Sequence, residues 1–424
     1  MKIPPPMTYP PKITLSGILV VWLIGLPWMA RVSWADWPQI LGVDRNGVAK
    51  NETIVEKLPE PLTIAWSYPV GQGYAGVAIA DETVYLFHRL DDVERLEALR
   101  LDKGKRLWKA DFPANYAGGI NPDGGPRCVP LVDRDRVIVF GAAGVLHAVE
   151  RKDGQPLWSR DLYDDYRANE GYFGAGSSPL AVGDRILVNV GGRAGAGIVA
   201  VSAETGKTLW TATNDTASYS SPTLIELQGK PVAVFVTRLN TVGLRPETGD
   251  LVFQFPFGRR GPTVNAATPI RVDDNVFVTS SYQVGGRLFS PAAAEQSIWE
   301  NDTTLSSQYN TPVAIDGKLF GIHGREDIGE ADLRCVDARS GRTLWSEDDF
   351  GVANPIAVNG QILFVTNEGE LVLVAASADG YREISRVPFS ANSTRALPAL
   401  SNGRLLVRDN QGDTGQLYCI DLRP

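Results

Sequence analysis

The sequence predicts an all-β fold: an eight-bladed β-propeller of four-stranded antiparallel blades, closed by an N-terminal strand that completes the last blade. Three observations predict it. A hairpin ending in a large side chain recurs as ALRLDKGKRLW (98–108), AVERKDGQPLW (148–158), AVSAETGKTLW (200–210) and CVDARSGRTLW (335–345). A second marker, a proline-led strand, turn and strand, returns between copies of the first, as in SSPLAVGDRILV and NTPVAIDGKLFG. Finally, 43 Gly and 28 Pro in 424 residues, with 43% apolar content, suit many short strands and leave little room for helices.

Taken in order, the hairpin glycines are Gly104, Gly154, Gly206, Gly249, Gly341 and Gly380. Four residues after them come Trp108, Trp158, Trp210, Phe253, Trp345 and Ile384, and a copy without the glycine ends at Trp299. Glycine suits a tight hairpin because the turn often needs positive φ. The marker prolines are Pro130, Pro179, Pro222, Pro269, Pro312, Pro355 and Pro398, with Gly76 holding that place in an earlier copy. Proline at the start of a strand removes no necessary ladder donor. The markers repeat about every 46 residues, the spacing of a propeller blade. One blade cannot bury both faces alone, so each tryptophan is expected to fasten blade to blade. The last repeat lacks a fourth strand, while LTIAWSYPV carries Trp66 ahead of the first complete blade. Pairing the two closes the ring at eight, with seven the nearest alternative count.

Residues 1–35 read as a signal peptide. Lys2 and Lys12 precede an apolar run from Ile13 to Ala30, and Ser33-Trp34-Ala35 offers small residues for cleavage before Asp36. An uncleaved membrane anchor is the alternative. A leader segment is expected over 36–60 and the propeller over 61–424. The signal segment carries three cations and no acid, so its removal takes the net charge from −8 to −11, which argues against nucleic acid as a partner. The location expected is periplasmic or secreted, and the protein monomeric. Cys128, Cys335 and Cys419 are far apart and odd in number, so they imply no disulfide framework and read as small core residues.

The A-x-D-x-x-T-G-x-x-x-W pattern resembles the quinoprotein (pyrroloquinoline quinone, PQQ) propeller repeat with its tryptophan-docking hairpins. Ala200, Ser202, Thr205, Gly206 and Trp210 follow it with Ser for Asp. Cys335, Asp337, Ser340, Gly341 and Trp345 follow it with Cys for Ala. The likeness covers roughly residues 60–424, and DWPQILGVDRNGVA (36–49) resembles the leader of secreted members. That superfamily includes PQQ-dependent dehydrogenases and cofactor-free relatives, notably the outer-membrane β-barrel assembly lipoprotein. The chain resembles the latter more, having no adjacent cysteines and no long insertions into the propeller. The resemblance implies PQQ with calcium only on the dehydrogenase alternative, and no cofactor is expected otherwise.

Catalytic patterns are thin. His88, His147 and His323 fall at different points of different blades, GGRAGAG (191–197) lacks the ending of a phosphate loop, and no serine elbow or H-E-x-x-H occurs. Binding is the better reading, because two inter-blade loops are long, a third carries paired arginines, and aromatic and charged loops on a rigid scaffold are where binding usually resides. FPANYAGGINPDGGPR spans 112–127. The loop at 160–178 carries Tyr163, Asp165, Tyr166, Arg167, Glu170 and Tyr172, and the loop at 254–268 carries Arg259 and Arg260. Ser178, Ser221, Thr268, Thr311 and Asn354, just before marker prolines, should ring the central opening on the same face. The function expected is an exported, non-catalytic scaffold that binds a protein or other envelope partner. A PQQ- or metal-dependent dehydrogenase and a carbohydrate or small-ligand binder are the alternatives.

Overall fold

A computed structural model describes residues 1–6, 8 and 35–424; the apolar run of the expected signal peptide lies outside the described residues. Eight antiparallel sheets of four strands each form the blades. Blades 1 to 7 occupy residues 78–113, 131–161, 180–212, 223–256, 270–301, 313–347 and 353–388, with strands paired in chain order. The eighth combines Ala399–Ser401, Arg404–Arg408 and Thr414–Asp421 with the N-terminal strand Ile64–Gly71. In that closing pair Trp66 stands opposite Cys419 and Tyr68 opposite Leu417. The protein is therefore an eight-bladed β-propeller. One register differs from the sequence reading. Strand Ala78–Ala80 aligns with Leu180–Val182, so Val77 takes the place of the marker prolines and Gly76 that of Ser178.

The middle strands are covered on both faces by neighbouring blades, so they read as continuous apolar runs. RVIVF (Arg136–Phe140) and QILFVT (Gln361–Thr366) are buried from the second residue on. Fourth strands lie at the rim and keep exposed residues, as Thr208–Ala212 does. The three cysteines are buried and free.

The tryptophans lock each blade to the next. The indole N–H of Trp66 donates to the Leu101 carbonyl at 2.8 Å, that of Trp158 to Ala203 at 3.0 Å, and that of Trp345 to Ser377 at 2.8 Å. The hairpin glycine belongs to the receiving blade. A Cβ on Gly104 would fall 2.7 Å from the Trp66 ring, and one on Gly154 2.5 Å from that of Trp108. Gly and Trp of one hairpin thus serve opposite seams. Blade 4 offers Phe253 in place of tryptophan, and the hairpin that follows is remade around the short turn Pro291–Ala293. There Arg287 lies 3.8 Å over the Phe255 ring and donates to the carbonyls of Ala294 and Glu295.

Residues 36–49 run among the innermost strands. Trp37 exchanges backbone hydrogen bonds with Ile79 of blade 1, and the Pro38 carbonyl accepts from Val132 of blade 2. Arg45 donates to the Ser178 and Pro179 carbonyls of blade 3, both at 3.0 Å. Gly47 abuts Val313 of blade 6 and accepts from Ala357 of blade 7. A segment touching these five blades crosses the central channel. Further on, the Glu52 carboxylate accepts from the N–H groups of Asn402 and Gly403 in blade 8.

Candidate functional site

Loops joining fourth to first strands and second to third strands share one face of the disc, the loop face. On it, between blades 3 and 4, a cavity of about 190 Å³ is lined by Tyr163, Glu170, Tyr172, Asn189, Tyr219 and Arg238, among others. Its walls follow from local chemistry. The Asp161 carboxylate accepts the Asp164 N–H at 2.9 Å and caps a single helical turn, Leu162–Tyr166, which Arg167 ends in the left-handed region. That turn divides the residues singled out from the sequence. Tyr163 faces inward, 8% exposed and edge-on to Phe140, and burial raises its phenol pKa. Asp165 pairs instead with Arg160 at 2.6 Å, Tyr166 bonds Thr208, and Arg167 is exposed.

Tyr219 staples the loop down. Its phenol oxygen accepts the backbone N–H groups of Tyr172 at 3.0 Å and Phe173 at 2.8 Å. Arg238 performs the same service for the third loop, donating to the carbonyls of Arg259 at 2.8 Å and Gly261 at 2.7 Å. The Tyr172 hydroxyl reaches the Gly261 carbonyl at 3.4 Å and joins the two loops. Tyr163, Glu170 and Tyr172 therefore meet in one cavity. The Arg259 side chain turns away to Gln283, and Arg260 stays exposed. Sequence reasoning missed Asn189, Tyr219 and Arg238. For Tyr219 a signal existed: Tyr74 and Tyr309 hold the same place in blades 1 and 6, three residues before Val77 and Pro312.

The residues before the prolines ring the opening, but their polar groups face one another. Ser178 Oγ accepts from Val129 N–H at 2.9 Å, and Ser221 Oγ from Ser178 N–H at 2.8 Å. Thr311 Oγ1 accepts from Thr268 N–H at 2.9 Å, and Asn354 Oδ1 from the Asn310 amide at 2.9 Å. Each bond stitches one blade to the next, and all five residues are buried.

The dehydrogenase alternative requires carboxylates and an amide converging on the axis to hold calcium and a quinone. The buried Asp123 near the opening has its two oxygens on the N–H groups of Gly73 and Gly125. The Asn354 amide oxygen serves the ring, and residues 36–49 cross the channel. Among the described residues no group of three or more His, Cys, Asp or Glu could hold a metal ion. This donor set does not fit calcium-bound PQQ.

Nor do the histidines converge. His88 Nδ1 accepts the Gly71 N–H at 2.8 Å, His147 stacks 3.9 Å from Phe112 and bonds Ser159, and His323 accepts from Ser306 N–H at 3.1 Å. Burial lowers all three pKa values, those of His147 and His323 to about 4.

Fold and site together define a PQQ-like repeat propeller that presents a stapled loop face. The profile described as outer membrane protein assembly factor BamB matches residues 92–347 and 329–423, and the chain belongs to that family. The outer membrane protein assembly factor BamB of Moranella endobia is 21% identical over 323 residues, 73% of this chain and 79% of its own. The crystal structure of BamB from Moraxella catarrhalis superposes with a TM-score of 0.62 at 16% identity, covering 84% of this chain and 97% of that one. A quinohemoprotein alcohol dehydrogenase from Pseudomonas putida gives 0.70 at 12%, covering 92% and 80%. Likenesses at these identities speak to the fold.

Proposed function

We propose that this protein is an exported, non-catalytic scaffold of the periplasm that works in outer-membrane protein assembly and docks a protein partner on its loop face. The single observation that carries the docking face is the stapling of two long loops by Tyr219 and Arg238. Fixing aromatic and charged loops before binding reduces the ordering cost of an interface. Tyr172, Arg259 and Arg260 belong to that surface, and family membership supports the assembly role. Residues 1–35 act on this reading as a signal peptide removed before Asp36, and N-terminal sequencing of the exported protein should begin Asp-Trp-Pro.

The test places a photocrosslinking residue at position 172 or 260 on the loop face, and at 152 or 207 on the hairpin face, in cells. Capture of an outer-membrane assembly component from the loop face alone supports the proposal. Capture from the hairpin face only, or from neither, overturns it. Stoichiometric uptake of PQQ with calcium, read by absorbance, would overturn the non-catalytic part.

A further inference from the structure

We propose that the cavity between blades 3 and 4 is a saccharide site that takes one neutral pyranose unit. The cavity, about 190 Å³, is on the scale of a single small polar molecule. Three tyrosines line it: Tyr172 and Tyr219, both half-buried, offer apolar ring surface to the C–H face of a sugar, and Tyr163 is 8% exposed. Its polar complement is mixed. Glu170 brings one negative charge and Arg238 one positive, so an anion would meet the carboxylate and a cation the guanidinium. A neutral ligand whose groups both donate and accept suits that balance, and hydroxyls do both.

A second observation points to a ligand. Asn189 is 2% exposed, and its Oδ1 has no donor among the described residues, while its amide nitrogen only reaches Ser218 Oγ at 3.5 Å. An unmatched buried acceptor is costly, and although this oxygen is itself enclosed, a turn of the Asn189 side chain into the cavity it lines would let a ligand hydroxyl satisfy it. Tyr219 adds a donor: its oxygen already accepts two backbone N–H groups, which leaves its own proton to point elsewhere. The loops are held by the Tyr219 phenol oxygen and the Arg238 guanidinium, so Glu170 and the Asn189 amide oxygen are not needed to hold them.

The experiment titrates the folded chain with glucose, galactose, N-acetylglucosamine and the N-acetylglucosamine tetramer, with ethylamine and acetate as charged controls. Calorimetry and saturation-transfer NMR read the binding. At least one sugar should saturate in the millimolar range and neither control should. A monomer that binds as well as the tetramer marks a free-sugar site, and preference for the tetramer marks an envelope glycan end. Glu170→Ala, at an exposed loop position, and Asn189→Ser should each weaken binding about tenfold. No saturation by any sugar overturns the proposal, as does binding that survives Glu170→Ala unchanged. Neither result touches the partner-docking reading, which crosslinking decides independently.

Discussion

Gly206 of blade 3 lies directly beneath the indole of Trp158 of blade 2. A Cβ on Gly206 would fall 2.7 Å from ring carbon Cε3, while the indole N–H reaches Ala203 of the same hairpin at 3.0 Å. The two most regular letters of the repeat are thus a pair formed across a seam. Gly206 also sits at φ 68°, so two costs need separating. Gly183 provides the control, with φ 64° and nothing within 4 Å of where a Cβ would sit. Gly183→Ala should cost about 1 kcal/mol from backbone strain alone. Gly206→Ala should cost about 2–4 kcal/mol, because overpacking against the ring is added. Urea denaturation of the two variants measures the difference, and equal losses would refute the lock.

The same lock closes the ring at Trp66, whose strand has no covalent continuity with the rest of blade 8. Trp66→Phe leaves the Leu101 carbonyl without its 2.8 Å donor and should lower stability by about 1–2 kcal/mol. Trp66→Ala should in addition free the strand Ile64–Gly71, so that limited proteolysis cuts first within 60–71. Trp210→Ala, in the middle of the ring, should lower the melting temperature without that early cut.

Two buried groups should give stability opposite pH dependences. His147 is held well below its ordinary 6.5, at about 4, by burial. Its contribution is fully present above pH 6.5 and is lost as pH falls through 4, up to about 3 kcal/mol. His147→Phe should flatten that limb. Glu94 is raised from 4.5 to about 7, again chiefly by burial, with Arg89 and Arg127 partly offsetting it. Its contribution is present below pH 4.5 and is lost as pH rises through 7. Glu94→Gln keeps an acceptor for the Ala142 N–H at 2.8 Å and should be more stable than the parent at pH 8 by about 2 kcal/mol. Denaturation midpoints between pH 4 and 8 check both slopes.

The fold was legible because it rests on short-range, repeated pairings. Gly-to-Trp spacing and the proline-led turns recur often enough to be read without any partner, and the closing strand could be placed because Trp66 lacked a blade of its own. The candidate site was legible only in part. Tyr163, Glu170 and Tyr172 stand on a loop whose length and aromaticity mark it. Asn189 ends a second strand, and Arg238 follows the end of another; nothing local distinguishes either from its equivalents in other blades. They become wall residues only when blades 3 and 4 are set side by side. Ser178, Ser221 and Thr311 show the converse: hydroxyls suited to a ligand are engaged by N–H groups of neighbouring blades about 45 residues away in the chain.

The leader provides the last prediction. Trp37 and Arg45 are each 2% exposed, yet they belong to a segment with no blade of its own. The Arg45 guanidinium is fully enclosed, donates only to carbonyls, and is lowered to about 9 by desolvation. An enclosed cation with no carboxylate partner among the described residues contributes little net stability, so the segment must be retained by its backbone pairing and by burial of Trp37. Those bonds name particular amides. Ile79 N–H donates to Trp37, Val132 N–H to Pro38 and Ala357 N–H to Gly47. Deleting residues 36–49 should therefore speed hydrogen exchange at Ile79, Val132 and Ala357, in blades 1, 2 and 7. Amides of fourth strands, such as Thr211, should keep their protection because their ladders do not involve the leader. Arg45→Met should leave all three amides protected, since it alters only the side chain. Uniform loss across every blade would mean that the leader nucleates the ring rather than lying across a ring already formed.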